Sequence, residues 1–170
     1  MSVLDTFAGE HAVFERLIQE LQDALRQDED SARRALRDTL LILIPALESH
    51  EKLEDLVFSG AVKKGAGKAI SELNKEHWRI ALLRRELLEA MKDSWEFPFD
   101  KLSELMLKLV CELRQHFLME ERRLWPRYRE LAGRSAGRAL ERRAQLQLKR
   151  LLGEVQRRRE ALTECGGARP

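Results

Sequence analysis

The sequence predicts an all-α protein, an up-down-up-down four-helix bundle with an additional C-terminal helix. Three observations carry this. Charged residues make up 35% of the 170 residues while proline and glycine are few, the balance of a helical chain with solvated faces. Apolar residues recur in alternating steps of three and four, the period of a bundle seam. The chain also repeats: slid along itself by 66 residues, His11 lands on His77, His50 on His116 and Glu54 on Glu120. Two similar helix pairs therefore make up one domain of ordinary size.

The first helix, from about Val3 to Arg26, carries Leu4, Phe7, His11, Phe14, Ile18, Leu21 and Leu25 on its seam. Ser31 is the expected N-cap of the second, whose seam runs Leu36, Leu40, Leu43, Leu47, His50, Glu54, Val57. Pro45 removes a backbone hydrogen bond inside it and predicts a kink. Gly60, Gly65 and Gly67 mark the turn into a third helix that carries Leu73, His77, Ile80 and Leu87. There Arg84 replaces the first half's Ile18, so that turn is expected to face solvent or pack through Leu83. The fourth helix carries Leu102, Met106, Leu109, Leu113, His116, Glu120 and Leu124, and Pro126 and Gly133 predict an irregular far end. A last amphipathic stretch, about Ser135 to Leu162, has the stripe Leu140, Ala144, Leu148, Leu151, Val155. The division is thus a bundle over 1–133 and a basic helical extension over 134–170, packed on the bundle or extending from it. From Arg134 onward there are 10 Lys/Arg against 4 Asp/Glu, whereas the preceding part has 21 against 25.

Six polar residues occupy core positions of these seams. A buried His or Glu without a partner costs several kcal/mol, so each needs a hydrogen bond, an opposite charge or a metal. His50 and Glu54, like His116 and Glu120, stand one turn apart on one helix face. All four histidines of the chain belong to the repeat, and in both halves they lie 39 residues apart. Their distances from the turns bring all six groups to one layer, nearer the glycine-rich turn. Four imidazoles and two carboxylates are too many for a tetrahedral structural zinc site. They suit two metals, each with two histidines, the carboxylates bridging. A bridging oxide or hydroxide then leaves one octahedral position open on each metal, where dioxygen, peroxide or nitric oxide can bind.

The order His, His-x-x-x-Glu, His, His-x-x-x-Glu, with Glu-Glu-x-x-Leu-Trp-Pro after the last histidine, resembles the hemerythrin-like (HHE cation-binding) family from about Leu4 to Pro126. The resemblance implies that His11, His50, Glu54, His77, His116 and Glu120 bind two iron ions in a non-haem di-iron centre, oxo- or hydroxo-bridged. Leu73 and Ala81 stand a turn either side of His77, where reversible oxygen carriers have a further histidine, and the last carboxylate follows at spacing four rather than five. The His4Glu2 set is more similar to bacterial iron–sulfur repair proteins and iron-sensing members. The implied function is to bind, sense or handle oxygen, nitric oxide, peroxide or iron; the alternative is an enzyme, peroxidase-like or an iron–sulfur repair activity, with an external reductant.

The neighbouring residues have blander readings. Glu51 is expected to be a solvated carboxylate or one behind the ligands, Glu10 and Glu76 exposed charges, and Glu121 turned about 100° away from the site. Trp78, Phe117 and Trp125 either wall the pocket or simply fill the core. Cys111 reads as a small core residue, and two cysteines make no disulfide framework, so reduced thiols and a cytoplasmic setting are expected. The longest apolar run is too short to span a bilayer. The run Arg157-Arg158-Arg159 lacks interleaved aromatics, so a solvated face is expected rather than nucleic-acid binding. A protein partner would engage the C-terminal helix.

Overall fold

The computed structural model describes residues 2–61, 67–92, 96–132 and 137–166, and all regular secondary structure among them is helical. The turns expected at Gly65, Ser94 and Gly133, and the side chain of Cys165, lie outside the described residues. Helix α1, Val3–Ala24, opens on a reciprocal cap: Ser2 Oγ accepts from the Asp5 N–H at 3.2 Å and Asp5 Oδ2 accepts from the Ser2 N–H at 2.8 Å. Two otherwise unpartnered amides are satisfied in this way. Helix α2, Glu29–Ala61, runs unbroken through Pro45. Its cap is Asp28 rather than Ser31, because Asp28 Oδ1 accepts from the Ser31 N–H at 3.0 Å and Ser31 lies already within the first turn. Then follow α3, Gly67–Lys92, and α4, Phe99–Met119.

One π-helical turn, Glu120–Leu124, joins α4 to α5, Trp125–Ala132, and is closed by the Trp125 N–H on the Glu120 carbonyl. Pro126 follows directly in the first turn of α5 and, lacking an N–H, donates no hydrogen bond back into the π turn. This is the irregularity that Pro126 predicts. Single π turns of this kind often accompany functional residues.

Among themselves the first four helices form a ring: α1 lies beside α2 and α4, and α3 beside the same two. The core falls into two clusters. The larger includes Phe14, Ile18, Leu21, Leu43, Leu87, Met106 and Leu113; the smaller includes Leu4, Phe7, Leu53, Phe58, Leu73, Leu124 and Trp125. On every helix the polar seam residues fall between the two. Each Leu or Phe fully buried here contributes roughly 1.5–3 kcal/mol, and this apolar burial offsets the cost of the polar layer between the clusters.

Helix α6, Arg138–Gly166, packs outside the bundle against α1 and α2. Leu151 and Val155 join the larger cluster and Ala144 the smaller. A Cβ at Gly9 would lie 2.9 Å from Leu148 Cδ2, so a glycine there lets the two helices approach closely. Arg158 Nη2 donates to Thr39 Oγ1 at 2.9 Å. No helix among the described residues is long and apolar enough to cross a membrane.

Two side chains depart from expectation. Cys111 is exposed, not a core residue. At the turn expected to face solvent or pack through Leu83, Leu83 packs against the larger cluster, while Arg84 is only 6% exposed and makes a two-pronged ion pair with Glu51 of α2, at 2.8 and 2.9 Å. A guanidinium at a seam position is tolerated when a carboxylate meets its fork geometry. Removing one partner strands the other charge. Glu51→Ala should therefore lower the stability to denaturant by about 3 kcal/mol, and the double variant Glu51→Leu/Arg84→Met should recover much of that loss.

Candidate metal centre

The six predicted residues converge on one layer of the bundle. Their inward atoms form two groups, each with atoms within 4.8 Å of one another: His11, His50, Glu54 and Glu120 in one, Glu54, His77, His116 and Glu120 in the other. The two glutamates are common to both groups because each divides its oxygens between them. Glu120 Oε2 lies 3.1 Å from His11 Nε2, and its Oε1 lies 3.2 Å from His116 Nε2. Glu54 Oε1 lies 3.3 Å from His50 Nε2, and its Oε2 lies 3.4 Å from His77 Nε2.

These approaches are close but wrongly angled for hydrogen bonds. Both oxygens of Glu54, both of Glu120 and Nε2 of His77 are buried with no hydrogen-bond partner. An unsatisfied buried polar atom costs about 1–3 kcal/mol, more when charged. Five such atoms aimed at a common interior space are what a cation would satisfy, so the donor set fits one.

The outward nitrogen of each imidazole faces a carboxylate. His50 Nδ1 lies 2.7 Å from Glu10, His11 Nδ1 2.8 Å from Glu121, His116 Nδ1 3.2 Å from Glu76 and His77 Nδ1 4.0 Å from Asp55. An Nδ1–H donated outward fixes the tautomer that turns the Nε2 lone pair inward, and makes it more basic. Sequence reading misses this ring of carboxylates. Glu10, expected to be an exposed charge, is 1% exposed, and Glu76 is only partly exposed. Glu121, expected off the site, reaches His11 from the π turn. The repeat holds the signal, because the same 66-residue shift lays Glu10 on Glu76 and Asp55 on Glu121. It is masked because Glu10 and Glu76 serve the histidine of the facing helix, not the one beside them in sequence.

Aromatic rings close the first group. His11 is stacked between Phe117, 4.2 Å between ring centres, and Trp125, 5.0 Å, while Phe7 and Phe14 meet His50 edge-on. Trp78 walls nothing; it is 65% exposed. Glu51 is held by Arg84.

The side chains alone arrange their protons in a definite way. Burial and the neighbouring His50 push His11 down to about 2. Burial also opposes charge on His50, but Glu54 and Glu10 outweigh it and raise that imidazole to about 10. His50 Nε2 and His11 Nε2 lie 3.2 Å apart, two nitrogens that both face inward. Burial works against Glu54 as an anion, yet His50 beside it holds its carboxyl well below the usual range. Glu120 goes the other way, raised by burial and by the charge of Glu54. Burial lowers His116.

A four-helix bundle in which two pairs of histidines share two carboxylates is the architecture of a cation-binding domain. The Hemerythrin HHE cation binding domain model matches residues 2–99 and again 69–169. Together these matches span nearly the whole chain, which belongs to that family. The second match runs on through α6. No curated protein and no solved structure matches the chain significantly.

Metal ligation requires His50 and Glu120 deprotonated, whereas in the apoprotein the surrounding carboxylates raise the His50 imidazole to about 10 and burial pushes the Glu120 carboxyl up. Binding a divalent cation near pH 7 should release at least the His50 proton, counted by calorimetry in buffers of different ionisation enthalpy. Affinity should rise with pH by about tenfold per unit for each proton displaced, and an affinity flat from pH 6 to 9 would contradict this arrangement. Glu10→Gln and Glu121→Gln should each weaken binding by roughly 10–100-fold.

Proposed function

We propose that this domain is a His4Glu2 di-iron protein whose irons are held by His11, His50, Glu54 and Glu120 on one side and by Glu54, His77, His116 and Glu120 on the other. Its task is to bind, sense or handle a small oxidant (oxygen, nitric oxide or peroxide) or iron itself. The observation that carries the reading is the orientation of Glu54 and Glu120, each turning one oxygen to each histidine pair. Imidazole and carboxylate donors without thiolate favour iron over a closed structural zinc site. A redox-active pair there would supply electrons and an open position to a small ligand.

The chain's own residues prepare for that. Glu10, Glu121, Glu76 and Asp55 orient the imidazoles, and the rings of Phe117, Trp125, Phe7 and Phe14 exclude water from the first group. His77 is the most open of the four histidines, with 12% of its side chain exposed, so a small ligand would approach on the α3 side.

Metal analysis of the purified protein should give about two irons per chain, four donors each. The optical spectrum of protein reduced without oxygen should then change on exposure to oxygen or nitric oxide. Protein isolated with no metal and unable to take up iron would overturn the reading. Sustained turnover of peroxide with an added electron donor would make the protein an enzyme instead. Among variants, Glu120→Ala and Glu54→Ala should each lose iron from both halves, because each removes a donor common to the two groups. His11→Ala should lose it chiefly from one. Iron per chain in the three variants checks the assignment.

A further inference from the structure

The two halves of the centre repeat one another in sequence, but α6 covers only one of them. On that side Gln147 Nε2 donates to Glu10 Oε1 at 3.0 Å, while Glu10 Oε2 accepts from His50 Nδ1 at 2.7 Å. The carboxylate is clamped between a bundle histidine and the outer helix, and is 1% exposed. Its repeat partner Glu76 accepts from His116 at a longer 3.2 Å, its side chain is 17% exposed, and among the described residues it has no second donor. The contrast extends to the histidines: the side chains of His11 and His50 are 5% and 0% exposed, whereas His77 is 12% exposed with its nearest outward carboxylate at 4.0 Å.

We infer that Gln147 is a positioning residue for the His11/His50 metal, and that the docking of α6 makes the two metal positions unequal, the first held more tightly than the second. The inference rests on the metal reading above. A carboxylate fixed at both oxygens presents its acceptor to His50 at one angle and cannot swing to water, so the imidazole is pre-oriented before metal arrives. Glu76 has no such restraint. The helix that carries Gln147 approaches α1 closely where Leu148 lies against Gly9, so α6 has to be seated for the hydrogen bond to form. Seating of α6 and grip on one of the two metals are therefore linked, and by reciprocity metal at that position favours the seated helix.

The experiment uses the full chain and cobalt(II), whose visible absorption reports each binding step. Wild-type protein should fill in two resolved steps. Gln147→Leu, which keeps the bulk and removes the donor, should weaken the tighter step by about tenfold, the low end for residues behind metal ligands, and leave the weaker step in place. The double-mutant cycle assigns the steps: Gln147→Leu should weaken the single metal retained by His77→Ala but not the one retained by His11→Ala. Arg158→Gln, which removes the contact to Thr39 at the far part of α6, should lower the melting temperature of the apoprotein and weaken the tighter step by less than Gln147→Leu does, with the weaker step unchanged. Equal weakening of both steps by Gln147→Leu, or by Arg158→Gln, would overturn the inference by reducing α6 to a general support of the fold. Two wild-type steps unchanged in Gln147→Leu would overturn it as well while leaving the metal reading intact. No cobalt or iron uptake by wild-type protein would sink the metal reading itself.

Discussion

Two carboxylates buried side by side are the constraint on which the rest of this structure depends. Glu54 and Glu120 are fully buried, and without hydrogen bonds. In a low-dielectric interior they cannot both be anions without cations beside them. Everything around them answers that problem: histidines at hydrogen-bond range but not at hydrogen-bond angle, and a rim of further carboxylates that faces the outward nitrogens. The layer is unfavourable as apolar packing and is held by well-packed clusters on both sides. The fold's stability thus lies in its two apolar clusters, and its chemistry lies in the gap between them.

The rim explains how a duplicated helix pair makes a rigid site. Each outward carboxylate comes from a helix other than that of the histidine it orients: Glu10 of α1 serves His50 of α2, Glu76 of α3 serves His116 of α4, Glu121 of the π turn serves His11 of α1, and Asp55 of α2 faces His77 of α3. The helices are therefore tied to each other through the imidazoles, and a shift of one helix disturbs the geometry of two histidines. The π turn at Glu120 belongs to the same device. It carries Glu120 inward toward two histidines and lets the adjacent Glu121 reach His11.

Symmetry in sequence does not carry through to symmetry in the folded site. The first half is stacked with aromatic rings and sealed by α6, whereas the second is partly open at His77 and Glu76. Arg84 shows the same divergence. Where the first half places Ile18 in the core, the second buries a guanidinium that Glu51 of α2, from the first half, meets, which also occupies a carboxylate next in sequence to the inward-facing His50.

The helices, their seams, the six inward residues and a further amphipathic helix were legible in the sequence, since each follows from local period or an internal repeat; that this helix packs on α1 and α2 was not. The convergence of His11, His50, Glu54, His77, His116 and Glu120 followed as well, because turn lengths and the fixed rise of a helix determine height. Only the tertiary structure decided the partners across helices. Whether Glu10 faces water or His50, whether Arg84 points out or finds Glu51, and whether Gln147 touches the site depend on helix rotation and side-chain reach. Periodicity specifies these only to within a broad face. A seam position says that a residue is inward; which atom it meets there is set by the helices that close over it.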